Sequence, residues 1–83
     1  MSAHTPHELA EIFPRDAIAL RRLKQTDAHV ARLAERHHQV DRAIHRIEAG
    51  VEAACDTRLE TLRKERLHLL DTIAAILEQA PAG

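Results

Sequence analysis

Histidine is the residue type in this sequence best suited to chemistry, with 7 copies in 83 residues. His37, Asp41 and His45 recur every fourth residue, which places them along one side of a helix. Imidazole and carboxylate groups bind zinc, but His37 and His45 would lie about 12 Å apart along the helix axis, so that only neighbouring pairs can share an ion. His68 is predicted to point away from this group. A complete site would need ligands from another chain, so we expect no metal and no cofactor.

His37 and Arg66 each occupy a position of the hydrophobic pattern described below where an apolar side chain is expected. Buried polar residues at such positions fix the register of packed helices. Arg66 can reach Asp41 on the facing helix, so we interpret His37, Arg66 and Asp41 as a register-setting polar core. Cys55 has no basic neighbour that would activate its thiol. Because no acid, base and nucleophile converge, we predict no catalytic residue and no enzymatic activity.

The composition indicates an all-α protein. Hydrophobic residues make up 45% and charged residues 30%, with a single aromatic residue (Phe13), two glycines and three prolines. Too few aromatic and turn residues are present for a β-sandwich or barrel, and two isolated glycines do not make a phosphate-binding loop. A chain rich in Ala, Leu, Arg and Glu is typical of long helices or coiled coils. We expect one domain over residues 1–83.

The same data predict a cytoplasmic location. A single cysteine excludes an intrachain disulfide and suits a reducing compartment. The N-terminus lacks the order of a signal peptide, and no apolar run is long enough to cross a membrane.

The first half of the chain contains two predicted helices. Residues 5–8 read Thr-Pro-His-Glu, a helix start, and predict a short helix over 6–13 that ends before the next proline. A long helix follows over 14–49, without an internal glycine or proline. Thr26 and Asp27 prefer helix caps to helix interiors, so a kink is expected near 26–27.

The second half contains one predicted helix. Gly50 is expected to end the preceding helix in the left-handed conformation, and residues 50–56 form the connection. Thr57 and Glu60 have the spacing of a capping box, which predicts a last helix over 57–79.

Apolar residues in both long segments alternate at spacings of three and four, which is the heptad pattern. The two sets are Val30, Leu33, His37, Val40, Ile44, Ile47 and Val51, and Leu59, Leu62, Arg66, Leu69, Ile73, Ile76 and Ala80. A short connection makes two such helices antiparallel. The predicted fold is an antiparallel two-helix coiled-coil hairpin with an additional short N-terminal helical segment.

The last helix carries a second apolar stripe, about a quarter turn from the first at 100° per residue. The stripe consists of Leu67, Leu70, Ala74 and Leu77, and the matching flank of the facing helix is mostly polar. Burying three leucines is worth roughly 5–8 kcal/mol, so this stripe requires a cover. The N-terminal segment, a second copy in a homo-oligomer, or a partner helix in an open groove would each provide one. We take these four residues as candidates for a protein interface.

Charge is unevenly distributed, although the net charge is −1. Residues 15–46 carry eight Lys or Arg against four Asp or Glu, whereas residues 47–83 carry four against seven. We interpret this as attraction between the two antiparallel arms. The basic run Arg21-Arg22-Leu23-Lys24 allows an alternative, a nucleic-acid-associated regulator that uses the first long helix. No aromatic platform accompanies it, which makes nucleic acid the less favoured partner.

Most of the chain, from about residue 9 to 77, resembles the YdcH-like family of small bacterial proteins. The resemblance is carried by Ile12-Phe13-Pro14, Leu23-Lys24, Asp27-x-His29, Leu33, Val40-Asp41, Ile44, Arg46-x-Glu48, Leu62-x-Lys64-x-Arg66-Leu67, Asp71 and Ile73. Family members often have proline where Ala28 stands and an aromatic residue where Val30 stands. The resemblance implies a helical hairpin and no known activity. Together with the apolar stripe, it favours a protein-interaction or self-association module.

Overall fold

The computed structural model describes residues 9–79, whose regular secondary structure is entirely helical, without a β-strand. The elements are α1 (Leu9–Ile12), a single 3-10 turn (Pro14–Asp16), α2 (Ala17–Thr26), α3 (Ala28–Glu48) and α4 (Asp56–Gln79). The all-α prediction is confirmed. The helix start predicted at residues 5–8 and the helix stop predicted after residue 79 lie outside the described residues.

The two long helices α3 and α4 form the predicted hairpin. Near the connection they bury one cluster, the loop-proximal core, which consists of Val40, Ala43, Ile44, Leu62 and Leu69. These residues belong to the two heptad sets, except for Ala43. The heptad spacing therefore correctly predicts which sides of the helices face each other.

Gly50 ends α3 as predicted, through a Schellman motif. Its φ of 78° is the left-handed conformation that only glycine adopts without strain. The Gly50 amide donates to the carbonyl of Ile47 at 3.1 Å, and the Val51 amide donates to that of Arg46 at 3.0 Å. These two bonds satisfy carbonyl groups that the end of a helix leaves without partners, and they turn the chain towards α4.

The last helix begins at Asp56, one residue before the predicted start. The Leu59 amide donates to the carbonyl of Cys55 at 3.2 Å, so Cys55 occupies the N-cap position. Thr57 therefore lies inside the first turn and is not the cap. Asp56 supplies a negative charge in the first turn, where it interacts favourably with the helix dipole.

The single helix predicted over 14–49 is divided into three pieces, and the expected kink is a complete break. Asp27 has an extended backbone, with φ −129° and ψ 108°. Its carboxylate accepts hydrogen bonds from the amides of His29 at 2.9 Å and Val30 at 3.4 Å. The aspartate thus caps α3, which explains why a residue that is not followed by proline still separates α2 from α3.

The break lets α2 pack against α3. A second cluster, the loop-distal core, gathers residues from all four helices: Leu9, Leu20, Val30, Ala34, Ile73 and Leu77. The N-terminal helices therefore close the open end of the hairpin.

Replacing Asp27 with alanine is expected to lower the free energy of unfolding by about 1 kcal/mol, because the first amides of α3 lose their side-chain acceptor. Asp27→Asn retains a capping oxygen and serves as the matched control. Urea unfolding followed by circular dichroism measures both. Equal stability of the alanine variant and the wild type would show that the cap does not hold this junction.

Candidate functional site

The predicted polar core lies at the centre of the hairpin. His37 is 2% exposed and Asp41 is 5% exposed, both on α3. Arg66 of α4 donates from Nη1 to Oδ1 of Asp41 at 2.9 Å, and its side chain is one-third exposed. The other carboxylate oxygen of Asp41 is buried and has no hydrogen-bond partner among residues 9–79. This carboxylate therefore depends on one arginine from the facing helix, which ties α3 to a single register on α4.

Two further ion pairs join α3 to α4 at the surface. Arg36 pairs with Glu65 through two hydrogen bonds, and Arg63 pairs with Glu48. In the second of these pairs, as in the buried one, α4 provides the cation and α3 the anion. Of these three pairs, only Arg36–Glu65 has the polarity that the uneven charge distribution predicts, with the cation on α3 and the anion on α4.

These contacts shift the titration of the surface groups. Hydrogen bonds from Arg36 lower the pKa of Glu65, and a hydrogen bond from Arg63 lowers that of Glu48, in both cases against a smaller opposing effect of burial. The hydrogen bonds to Glu65 in turn raise the pKa of Arg36. Both glutamates thus favour the folded state in their ionised form.

The proposed apolar stripe on α4 is largely covered by the chain itself. Leu77 belongs to the loop-distal core with Leu9 and Leu20. Leu70 is half-buried and packs against the same core, and Ala74 is half-buried. The N-terminal segment thus covers one end of the stripe, as the first of the three alternatives raised from the sequence predicts.

Leu67 is the exception, with 60% of its surface exposed. It lies one turn closer to the connection than Leu70. We define the Leu67 face as Leu67, Asp71, Ala74 and Glu78, whose spacing places them on one side of α4.

Ile18 on α2 is a further exposed aliphatic residue, with 77% of its surface exposed, and it was not predicted from the sequence. The sequence predicts only that the N-terminal segment as a whole could cover the stripe on α4, and it does not single out Ile18. The signal was its spacing: Ile18 and Leu20 are separated by about 200° on a helix, so both cannot be buried on the same side. Arg21 and Arg22 are exposed on the same helix, as is Lys24. We define the basic face of α2 as Ile18, Arg21 and Arg22.

An open cavity of about 410 Å³ separates part of α2 from α3. Its lining includes Ala17, Ala31 and Ala34, with Arg21 and Lys24 from α2. The small side chains leave a groove between the helices rather than an enclosed chamber.

Within the described residues, no three side chains of His, Cys, Asp or Glu come close enough to hold a metal ion. His37, Asp41 and His45 lie along the same helix, as their spacing requires. Cys55 is exposed in the connection. No helix between residues 9 and 79 combines the length and hydrophobicity needed to span a membrane.

Arg66→Met is expected to lower the free energy of unfolding by about 2–3 kcal/mol, because it leaves the buried Asp41 carboxylate without its cation. The double variant Asp41→Leu/Arg66→Met removes both charged groups and should recover most of that loss. Urea unfolding of the two variants and of Asp41→Leu completes a double-mutant cycle. A coupling energy near zero would contradict the assigned role of this pair.

Acid is expected to weaken the hairpin through Glu65 and Glu48. A lowered pKa stabilises the folded state above the usual value near 4.5, and this contribution is lost as the pH falls through the lowered folded values. Each contribution should be below about 1 kcal/mol, because the pairs are exposed to solvent. Thermal unfolding between neutral and acidic pH should therefore depend less on pH in Glu65→Gln than in wild type. Glu60→Gln, which removes an exposed acid of α4, is the control, and identical pH profiles for all three proteins would refute the assignment.

Comparison with known proteins identifies the hairpin as the shared part of the chain. A family model described as "Protein of unknown function (DUF465)" matches residues 30–77, more than half of the chain. The range covers most of α3 and α4 but begins after the Phe-Pro and Asp-x-His residues that contributed to the resemblance described above. No curated protein and no solved structure matches the chain. The chain belongs to this family of proteins of unknown function, which includes the YdcH-like proteins.

Proposed function

We propose that this protein is a protein-interaction module that binds a helical surface through the Leu67 face of α4. The observation that carries the proposal is the exposure of Leu67, at 60%, beside a stripe whose other members the chain covers itself. Burying one leucine side chain contributes about 1.5–3 kcal/mol, enough to anchor an interface when the surrounding residues also pack.

The surroundings of Leu67 favour a partner with a shaped surface over a small molecule. Leu70 and Ala74 are half-buried next to it, so their remaining surface can extend the apolar contact. A helix that presents one aliphatic residue between polar ones would fit against this ridge. We also propose that the protein is not an enzyme, because the contact between two helices offers no enclosed site for a substrate. A cytoplasmic location is proposed separately, since a single cysteine suits a reducing compartment.

The basic face of α2 favours the second candidate, association with nucleic acid. Arg21, Arg22 and Lys24 form no ion pair with any residue in the described range. Phosphate groups would neutralise these cations without sequence preference, and such binding weakens steeply with added salt. A gel-shift titration at low and moderate salt tests this candidate, and an absence of any shift at low salt removes it.

Leu67→Glu is expected to weaken capture of the partner by about tenfold or more, because a carboxylate replaces the apolar contact. Val51→Glu is the matched control, since Val51 is 77% exposed but lies in the connection. Tagged wild type and both variants are compared in affinity purification with quantitative mass spectrometry. A partner retained equally by all three would refute the Leu67 face, and circular dichroism confirms that each variant is folded.

A further inference from the structure

The basic face of α2 combines one exposed aliphatic residue with unpaired cations. Ile18 is 77% exposed, and Arg21 and Arg22 are exposed beside it. Neither arginine forms an ion pair within residues 9–79. An anionic surface with an apolar centre would therefore match this face.

The Leu67 face has the opposite charge. Asp71 and Glu78 are exposed on either side of Ala74, and neither forms an ion pair in the described part of the chain. The sequence from Leu67 to Gln79 contains no Lys or Arg. At 100° per residue, Asp71 and Glu78 lie within about 40° of Leu67 around the helix, so the aliphatic and acidic groups share one direction.

The two faces are therefore similar in apolar content and complementary in charge, but they are not in contact within one chain. Ile18 and Leu67 both retain most of their exposed surface. The ion pairs between α3 and α4 involve none of the charged residues of either face. The charge imbalance of the sequence is thus left at the surface rather than neutralised by the hairpin.

We propose that the partner of the Leu67 face is a second copy of this chain, which docks through the basic face of its α2. This proposal rests on the proposed function and specifies its partner. Each chain carries one face of each kind, so a two-fold axis lets two copies make the same contact twice. Ile18 of one copy packs against Leu67 of the other, and Arg21 and Arg22 lie opposite Asp71, about 6 Å from Leu67 along α4. Glu78 lies about 16 Å from Leu67 and extends the negative charge beyond this contact.

Reciprocal charge reversal tests this arrangement. The α2 variant carries Arg21→Glu and Arg22→Glu, and the α4 variant carries Asp71→Arg and Glu78→Arg. Each variant alone has two faces of the same sign, so we expect its self-association to be at least about tenfold weaker than that of wild type. An equimolar mixture restores both complementary contacts and should form a dimer. Sedimentation velocity and light scattering measure the masses, and added salt should weaken association of the wild type.

The control variant carries Arg32→Glu and Arg42→Glu, which reverse two exposed arginines of α3 and should leave the dimer intact. A wild-type chain that is monomeric at its highest soluble concentration overturns the proposal, as does a dimer that survives charge reversal in either face. Binding of the α2 and α4 variants to each other, but not to themselves, supports it. If the chain is monomeric but a host protein captured by wild type is lost with Leu67→Glu, the partner of the Leu67 face is that host protein. The proposal of a second copy is then wrong, and the proposed function stands. If the chain is monomeric and Leu67→Glu removes no host protein, both the contact between two copies and the proposed function are rejected.

Discussion

Apolar surface on α4 is wider than α3 can cover, and most of the architecture follows from how that surface is buried. The heptad residues of α4 face α3, and Leu62, Leu69 and Ile73 are the contribution of these residues to the two cores. The second stripe extends beyond this contact, and the flank of α3 beside it is largely polar. The N-terminal helices cover the stripe at the open end of the hairpin, where Leu77 joins Leu9 and Leu20. They do not extend their cover to Leu67, so the fold meets its main burial requirement and leaves one anchor exposed.

That cover depends on the conformation of Asp27. An uninterrupted helix would carry α2 away from the hairpin in line with α3, and Leu20 would then be exposed to water. One extended residue reverses the chain direction, and the aspartate side chain satisfies the amides that the break leaves without partners. The hydrogen bonds of the Asp27 carboxylate offset part of the cost of interrupting the helix. The gain in burial comes from Leu20 of α2, which enters the loop-distal core. The cap of Asp27 and the burial of Leu20 together therefore favour packing of α2 on the hairpin over a longer continuous helix.

The features that the sequence predicts correctly are those controlled by local chemistry or by periodicity. Alternating spacings of three and four identify the paired sides of α3 and α4, and Gly50 identifies the end of α3. The sequence predicts only a kink near Asp27, because Ala28 does not force a break. The complete break results from the capping side chain together with the burial of Leu20. The exposure of Ile18 also escaped prediction, since it depends on which side of α2 meets the hairpin. The position of Arg66 opposite Asp41 follows from antiparallel register alone, whereas the burial of Asp41 requires the full packing of the helices.

Electrostatics acts on two levels in this chain. The pairs Asp41–Arg66, Glu48–Arg63 and Arg36–Glu65 are contacts of a few ångströms that fix register, and their polarity is unrelated to the overall charge of each helix. The larger separation, with cations on α2 and anions near the end of α4, involves groups that no contact within the described chain neutralises. Charges at the surface are screened over about 8 Å at physiological ionic strength, so such separated groups add little to the stability of a single chain. A second surface of opposite charge would interact with these groups directly, and charge complementarity of that kind favours the correct partner and speeds its association. The charge asymmetry is therefore the basis of the proposed contact between two copies, and it contributes little to the folding of one chain.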